Sequence, residues 1–310
     1  MARRTNTRMI FSWHRPVIAV LIAMTTAVPA VSQTTQVGFP SLLPATRAML
    51  NYVGLSVDGY VYRKIAQAVK PDAPKLSELV SMYEGHLTQR SVSAILLPLL
   101  PKVNDLHDPK SQAILLAIDH LAPWLKTTKS NRERLSKYGL HFHPYVNGGW
   151  LYDHDLLWRA WKLAPDSDLG KDAFLLLLER GFDPSLNCLF GPDNFLRMIH
   201  YGEPWLHKHA GDPRVIFVKF MLARAYHTWW VVGHDKVPTD KKYIPGSDTA
   251  YHKAVTDYQQ VMQMLAALPP GNYGDYSPLI SEMQDAAKTE LQRLENKQFD
   301  FTAFYCVPGA

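Results

Sequence analysis

Two cysteines, Cys188 and Cys306, are all that this chain of 310 residues carries. Neither has a histidine partner evident in the sequence, so nothing marks a cysteine nucleophile. The chain also lacks the segments by which enzymes cradle phosphate or expose a serine. No G-x-x-x-x-G-K loop and no G-x-S-x-G turn occurs, which removes support for nucleotide-dependent catalysis and for a nucleotide cofactor. No H-E-x-x-H pair of histidines is present. No alternation of apolar and polar residues between hairpin turns appears, which argues against a β-domain. The apolar run near the N-terminus is about 14 residues, short of the ~20 needed to span a bilayer.

That run belongs to a leader. Arg3, Arg4, Arg8 and Arg15 precede or flank the apolar segment Val17 to Ala30 without one acidic residue, and Ala30-Val31-Ser32-Gln33 supplies small residues at its exit. A basic head, a short apolar stretch and a small-residue exit are the parts of a secretory signal. The sequence therefore predicts a signal peptide over residues 1–32 and a periplasmic or secreted mature protein; kept uncleaved, the same segment would serve as an anchor. No cysteine near the exit suggests a lipoprotein. The whole chain has 33 basic and 28 acidic residues, and loss of the four leader arginines leaves a mature body close to neutral. A concentrated basic face, which nucleic-acid binding needs, is not indicated. In an oxidising compartment Cys188 and Cys306 form a candidate disulfide, worth about 4–5 kcal/mol at most for a loop of roughly 118 residues; the alternative is two buried thiols.

Past the leader, hydrophobic residues recur once per helical turn. Val61, Ile65, Ala68 and Val69 follow this spacing, as do Leu76, Leu79, Val80, Tyr83 and Leu87 after Pro74. A helix from about Ser91 is interrupted by Pro98 and ended by Pro101, because each proline removes a backbone donor. Asp108-Pro109 reads as a helix start, and Ile114, Leu115, Ile118, Leu121 and Leu125 form one apolar side. Residues 139–149 read as a loop, and a soft boundary falls there. The second half predicts helices over about Trp150–Leu163, Lys171–Arg180, Asp193–His207, Arg214–Val232, Thr249–Leu268 and Pro278–Asn296, joined by short Asp, Pro and Gly connections. The fold class is all-α, built of antiparallel helical hairpins, with an N-terminal helical region (33–148) and a second helical region (149–310).

In the second region the residues resemble tetratricopeptide repeats. Leu222-Ala223-Arg224-Ala225-Tyr226 is similar to the first helix of that motif, while Ala254, Tyr258, Val261 and Pro269 are similar to its second helix and closing turn. Gly202 and Trp205 before Pro213 give a poorer match. Pro165-Asp166-Ser167, leading into Ala173-Phe174-Leu175, resembles another repeat entry. The repeats would be degenerate and lengthened, because similar segments recur at about 46 residues rather than ~34 and residues 233–247 intervene inside the best one. The resemblance implies an α-solenoid or helical array with no fixed activity.

Three constellations could carry chemistry. His141, His143 and Asp153 have the donor types of a zinc or hard-metal site, with His154 and Asp155 beside them; the simpler reading is surface and loop histidines. Trp205, Tyr226, Trp229 and Trp230 form an aromatic patch at helical spacing, either packing residues or the lining of a groove for a peptide or glycan. Glu179, Glu203 and Asp155 could be imagined as glycosidase acids, though nothing sets two of them at the required separation. The sequence thus leads us to expect a non-enzymatic, exported helical-repeat module. It would bind a protein or polymer of the cell envelope, without cofactor, nucleotide, nucleic acid or stable membrane span. The alternative is an exported α-helical hydrolase or metalloenzyme using the His141–Asp155 region.

Overall fold

A computed structural model describes residues 58–82, 86–144, 149–180, 182, 193–234, 247–268 and 277–298. These contain eleven α-helices, two 3-10 turns and two three-residue strands. In order they are α1 (Asp58–Val69), α2 (Pro74–Val80), α3 (Gln89–Val103), α4 (Gln112–Leu121), α5 (Lys129–Ser136), β1 (Phe142–Pro144), β2 (Trp150–Tyr152), α6 (Asp155–Leu163), α7 (Asp168–Glu179), α8 (Asp193–Lys208), α9 (Val215–His234), α10 (Ser247–Ala267) and α11 (Ser277–Glu295). Among the described residues the fold is all-α but for the β1–β2 hairpin. The predicted leader and both cysteines lie outside the described residues. Among those residues no helix is long and apolar enough to cross a membrane.

The first helices gather around α4. Eight of its ten residues are buried, and α1, α2, α3, α6 and α7 all pack against it. Helix α1 presents Val61, Tyr62, Ile65, Ala66 and Val69 inward, whereas Ala68 is exposed. The stripe thus runs through Tyr62 and Ala66, a fractional turn away from the one the apolar spacing suggested. Helix α7 is apolar on every side from Ala173 to Leu178, all buried, because it sits between α1, α4, α6 and α9. Beyond it, α8 packs on α9, α9 on α10 and α10 on α11. One hydrophobic core runs from Val61 to Leu294, and α4–α6 and α1–α7 contacts carry it across residue 148.

Four local features differ from what the sequence pattern suggests. Helix α3 continues through Pro98 and Pro101. Both prolines are on its exposed side, where water can take the carbonyls that lose their amide partners. Thr88 begins this helix with a reciprocal cap, its Oγ1 accepting from the Ser91 amide at 3.1 Å while the Thr88 amide donates to Ser91 Oγ at 3.2 Å. Helix α5 has only Leu135 buried, too little apolar periodicity to announce itself, and it relies on the Thr128 cap. Asp108 opens a 3-10 turn, Pro109–Ser111, before α4 proper begins. Finally, the segment read as a loop ends in the antiparallel hairpin, with Phe142 opposite Tyr152 and Pro144 opposite Trp150. Helix α6 consequently starts at Asp155 rather than Trp150.

Candidate functional site

Helix α6 is held at both ends by polar side chains of α4. At its start, the residue in the cap position is His154, left-handed at φ 54° and making no side-chain cap bond of its own. Asp119 of α4 supplies the missing acceptor: its Oδ1 takes the Leu157 amide at 3.0 Å, and its Oδ2 lies 2.8 Å from His154 Nδ1. An ionised carboxylate only accepts, so Nδ1 carries the proton. Asp119 is 1% exposed. Burial pushes its carboxyl up, but the His154 imidazole, Arg180 and the Tyr152 hydroxyl outweigh this and hold it below the ordinary carboxylate value. Burial and the Asp119 charge together push the Tyr152 phenol well above its usual range, so it stays protonated. At the other end of α6, buried Gln112 donates to the Ala160 and Ala164 carbonyls at 2.8 and 3.2 Å and accepts from Ser167 Oγ at 2.7 Å. Helix α7 then starts so close that a Cβ on Gly170 would lie 1.9 Å from the Ala164 carbonyl oxygen. Only glycine fits there. The first residue of α4 grips the end of α6 and its Asp119 grips the start, so the two helices run antiparallel and α6 is a fixed platform.

The outward side of that platform borders two open clefts. One, of about 450 Å³, is lined by Trp158, Phe182, Leu196, Arg197, His200 and Tyr201. The other, of about 430 Å³, is lined by His107, Asp155, Trp158, Arg159, Lys162 and Leu163. Trp158 is their common wall. It is oriented by edge contacts to Trp161 and Tyr201, both at 5.7 Å between ring centroids, and by Phe182 at 5.5 Å. Phe182 in turn stacks on Tyr201 at 4.4 Å. Lys162 places its ammonium 5.4 Å from the Trp158 ring centre, within cation–π range. Arg159 donates to the Leu106 carbonyl at 2.6 Å and reaches His107 Nδ1 at 3.3 Å. Its guanidinium is therefore positioned, and no carboxylate of the described residues compensates its charge. Among the described residues none of Arg159, Lys162 and Arg197 pairs with a carboxylate. The single carboxylate of the second cleft, Asp155, already accepts from His141 Nδ1 at 2.7 Å.

The histidine–aspartate constellation separates into pairs. His141 goes with Asp155 and His143 with Asp153, the latter in very close contact, while His154 turns inward to Asp119. Asp153 and His154 lie in the connection between β2 and α6, not on the helix where the sequence placed them. Among the described residues no three His, Cys, Asp or Glu side chains converge as a metal group. His143 nonetheless keeps a buried Nε2 without a hydrogen-bond partner.

The aromatic patch is divided among three places. Trp205 is buried and stacks on Phe174 at 5.1 Å. Tyr226 and Trp229 stack on each other at 6.2 Å, and Phe195 backs Trp229 at 6.4 Å. Trp230 faces Tyr251 of α10, at 5.2 Å. Glu203 accepts from the Tyr226 hydroxyl at 2.9 Å and lies 3.4 Å from Lys253. Glu179 ends α7 and Asp155 begins α6, so these three acids stand on different elements.

Two further charge clusters are internal. Asp172, with no exposed surface, accepts from Arg214 Nε at 2.7 Å and Lys64 at 2.8 Å, joining α7 to α1 and to the start of α9. Between α9, α10 and α11 lie Arg224, His227, Tyr258 and Glu290. Burial raises the Tyr258 phenol well above its usual range and lowers the Arg224 guanidinium. His227 Nδ1 is 3.1 Å from Glu290 Oε2 but too poorly aligned for a hydrogen bond, and among the described residues the Tyr258 hydroxyl has no hydrogen-bond partner.

The cleft residues Trp158, Arg159, Lys162, Arg197, His200 and Tyr201 were not singled out by sequence pattern. The available signal was a Trp at 158 and 161, each followed by a cation, on a helix whose buried side is Leu156, Leu157 and Ala160. No protein-family model, curated protein or solved structure matches this chain.

Proposed function

We propose that this chain is an exported helical array of degenerate, tetratricopeptide-like hairpins that acts as a binding or scaffold module for a protein or polymer of the cell envelope. The binding face is the Trp158 surface. The observation that carries this reading is the pair of clefts sharing Trp158: flat aromatic walls, long cations at the rim, and a backbone platform fixed from behind by Asp119 and Gln112. Aromatic faces offer a large contact area with few rotors, and guanidinium groups add directional donors, which together are the anchors of binding surfaces. The array is supported by neighbour-on-neighbour packing from α8 to α11. It is also supported by small residues at the contacts, where a Cβ on Gly202 would meet Leu222 Cδ2 at 2.7 Å. The step from array to binding is an analogy of fold, which by itself fixes no function.

The test is capture from an envelope extract by the immobilised full chain, run beside Trp158→Ala and Arg197→Glu. A partner retained by the wild type and lost by both variants is the expected result. Equal retention by all three would remove the Trp158 surface from the account.

The hydrolase or metalloenzyme reading has one observation of its own. His143 bonds Asp153 through Nδ1 and leaves a buried Nε2 unpartnered, the orientation a carboxylate gives to a metal-ligating imidazole. Stoichiometric zinc in the purified protein, lost on changing His141 and His143 to Ala, would favour it. Metal-free protein with unchanged melting in chelator would dismiss it.

A further inference from the structure

The charge around Trp158 says what kind of partner suits it. We infer that this surface takes an acidic peptide segment with an aromatic or large aliphatic side chain, the segment belonging to a partner protein. The inference rests on the reading of the Trp158 surface as the binding face and adds the chemistry of the occupant. Arg197 stands in the first cleft, and Arg159 and Lys162 in the second, so cations flank Trp158 on both sides. None of the three meets a carboxylate among the described residues, and Asp155 is engaged by His141. The two clefts therefore hold a net positive charge on a body that is otherwise close to neutral once the leader is set aside.

Uncompensated cations beside low-dielectric aromatic walls attract carboxylates and raise encounter rates. The walls themselves select the rest of the ligand. Trp158, Phe182, Leu196 and Tyr201 line a mostly apolar recess, which suits one large side chain. A neutral sugar polymer would leave Arg197, Arg159 and Lys162 without a counter-charge, which carboxylates supply. In an extended peptide, successive side chains point to opposite sides. Carboxylates two residues before and two after an apolar anchor then point the same way as the anchor, toward Arg197 on one flank and Arg159 with Lys162 on the other.

Calorimetric titration of the full chain with acetyl-Glu-Ala-Phe-Ala-Glu-amide tests this. The lysine counterpart and a galacturonate oligomer serve as the comparison probes. The acidic peptide should bind and the lysine peptide should not. Arg197→Glu should weaken binding by about tenfold or more, and raised salt should weaken it as well. Arg197 is exposed, so this variant keeps the fold, and Trp158→Ala serves as the second, independent loss. Absence of acidic-peptide binding, or equal affinity in Arg197→Glu, overturns the inference. Binding of the galacturonate oligomer alone, lost in Trp158→Ala, also overturns it while leaving the binding face in place. Partner capture indifferent to Trp158→Ala removes the face itself.

Discussion

Two groups of aromatic side chains in this protein have been put to different uses. Around Trp230 the rings are interior: Trp230 is 2% exposed, faces Tyr251, and has Lys297 above it 5.8 Å from its ring centre. Around Trp158 the rings support one another edge-on but leave a shared wall open to two clefts. The composition of the two groups is similar. What differs is the neighbour. Helix α9 has α8 on one side and α10 on another, so its aromatics are consumed in packing. Helix α6 is covered by α4 and α7, and among the described residues its Trp158 still borders two open clefts. An aromatic run thus marks a surface only where its rings border open space as well as a neighbouring helix.

Substitutions should expose this difference. Trp230→Ala should cost the most, about 3–5 kcal/mol, because a buried Trp leaves both lost transfer energy and a cavity. Urea unfolding would measure it, and a cost below ~1 kcal/mol would mean that Trp230 is not packed as described. Asp119→Ala should follow at about 2–3 kcal/mol, since it removes a charged acceptor from the Leu157 amide and from a buried imidazole. Near-ultraviolet circular dichroism should report the loosened Trp158 environment in that variant.

Acid should act on the same anchor. The Asp119, Asp168, Asp212 and Glu290 carboxyls all sit below their ordinary values in the folded protein. A depressed carboxyl adds stability that is present above its unfolded value of roughly 4 and disappears as pH falls through the folded one. Burial raises Asp257 instead, against the pull of Lys253 and Lys219, so this group favours the fold slightly on the acid side. The four depressed groups outnumber it. The urea midpoint should therefore fall between about pH 5 and pH 3, and Asp119→Asn should show a shallower fall. A midpoint indifferent to pH over that range would contradict the ion pairs. Trp158→Ala should be the mildest for stability, about 1–2 kcal/mol for a partly exposed ring, while affecting binding most.

Much of the helical plan was legible in the sequence. The spans of α8, α9, α10 and α11 follow from apolar spacing and from the Asp, Pro and Gly residues between them. Ser167, Thr88 and Thr128, which the apolar spacing did not single out, begin helices because a side-chain oxygen accepts an early amide. The departures share one cause: tertiary position outweighs local pattern. Pro98 and Pro101 are tolerated because they face outward. Trp150 joins a strand because β1 pairs with it, and helix α6 starts late because its cap comes from Asp119, 35 residues away in sequence. The site was less legible still. No periodicity shows that Arg197 on α8 and Lys162 on α6 flank one tryptophan, since that depends on how α6, α7 and α8 fold back on one another.

The comparison of the two aromatic groups is settled most directly by placing Trp158→Ala beside Trp229→Ala in the same partner-capture measurement, with both variants first shown to be folded. The account predicts that the partner is lost with Trp158 and kept with Trp229. Loss with Trp229 and retention with Trp158 would move the binding face to α9 and contradict the reading of the clefts.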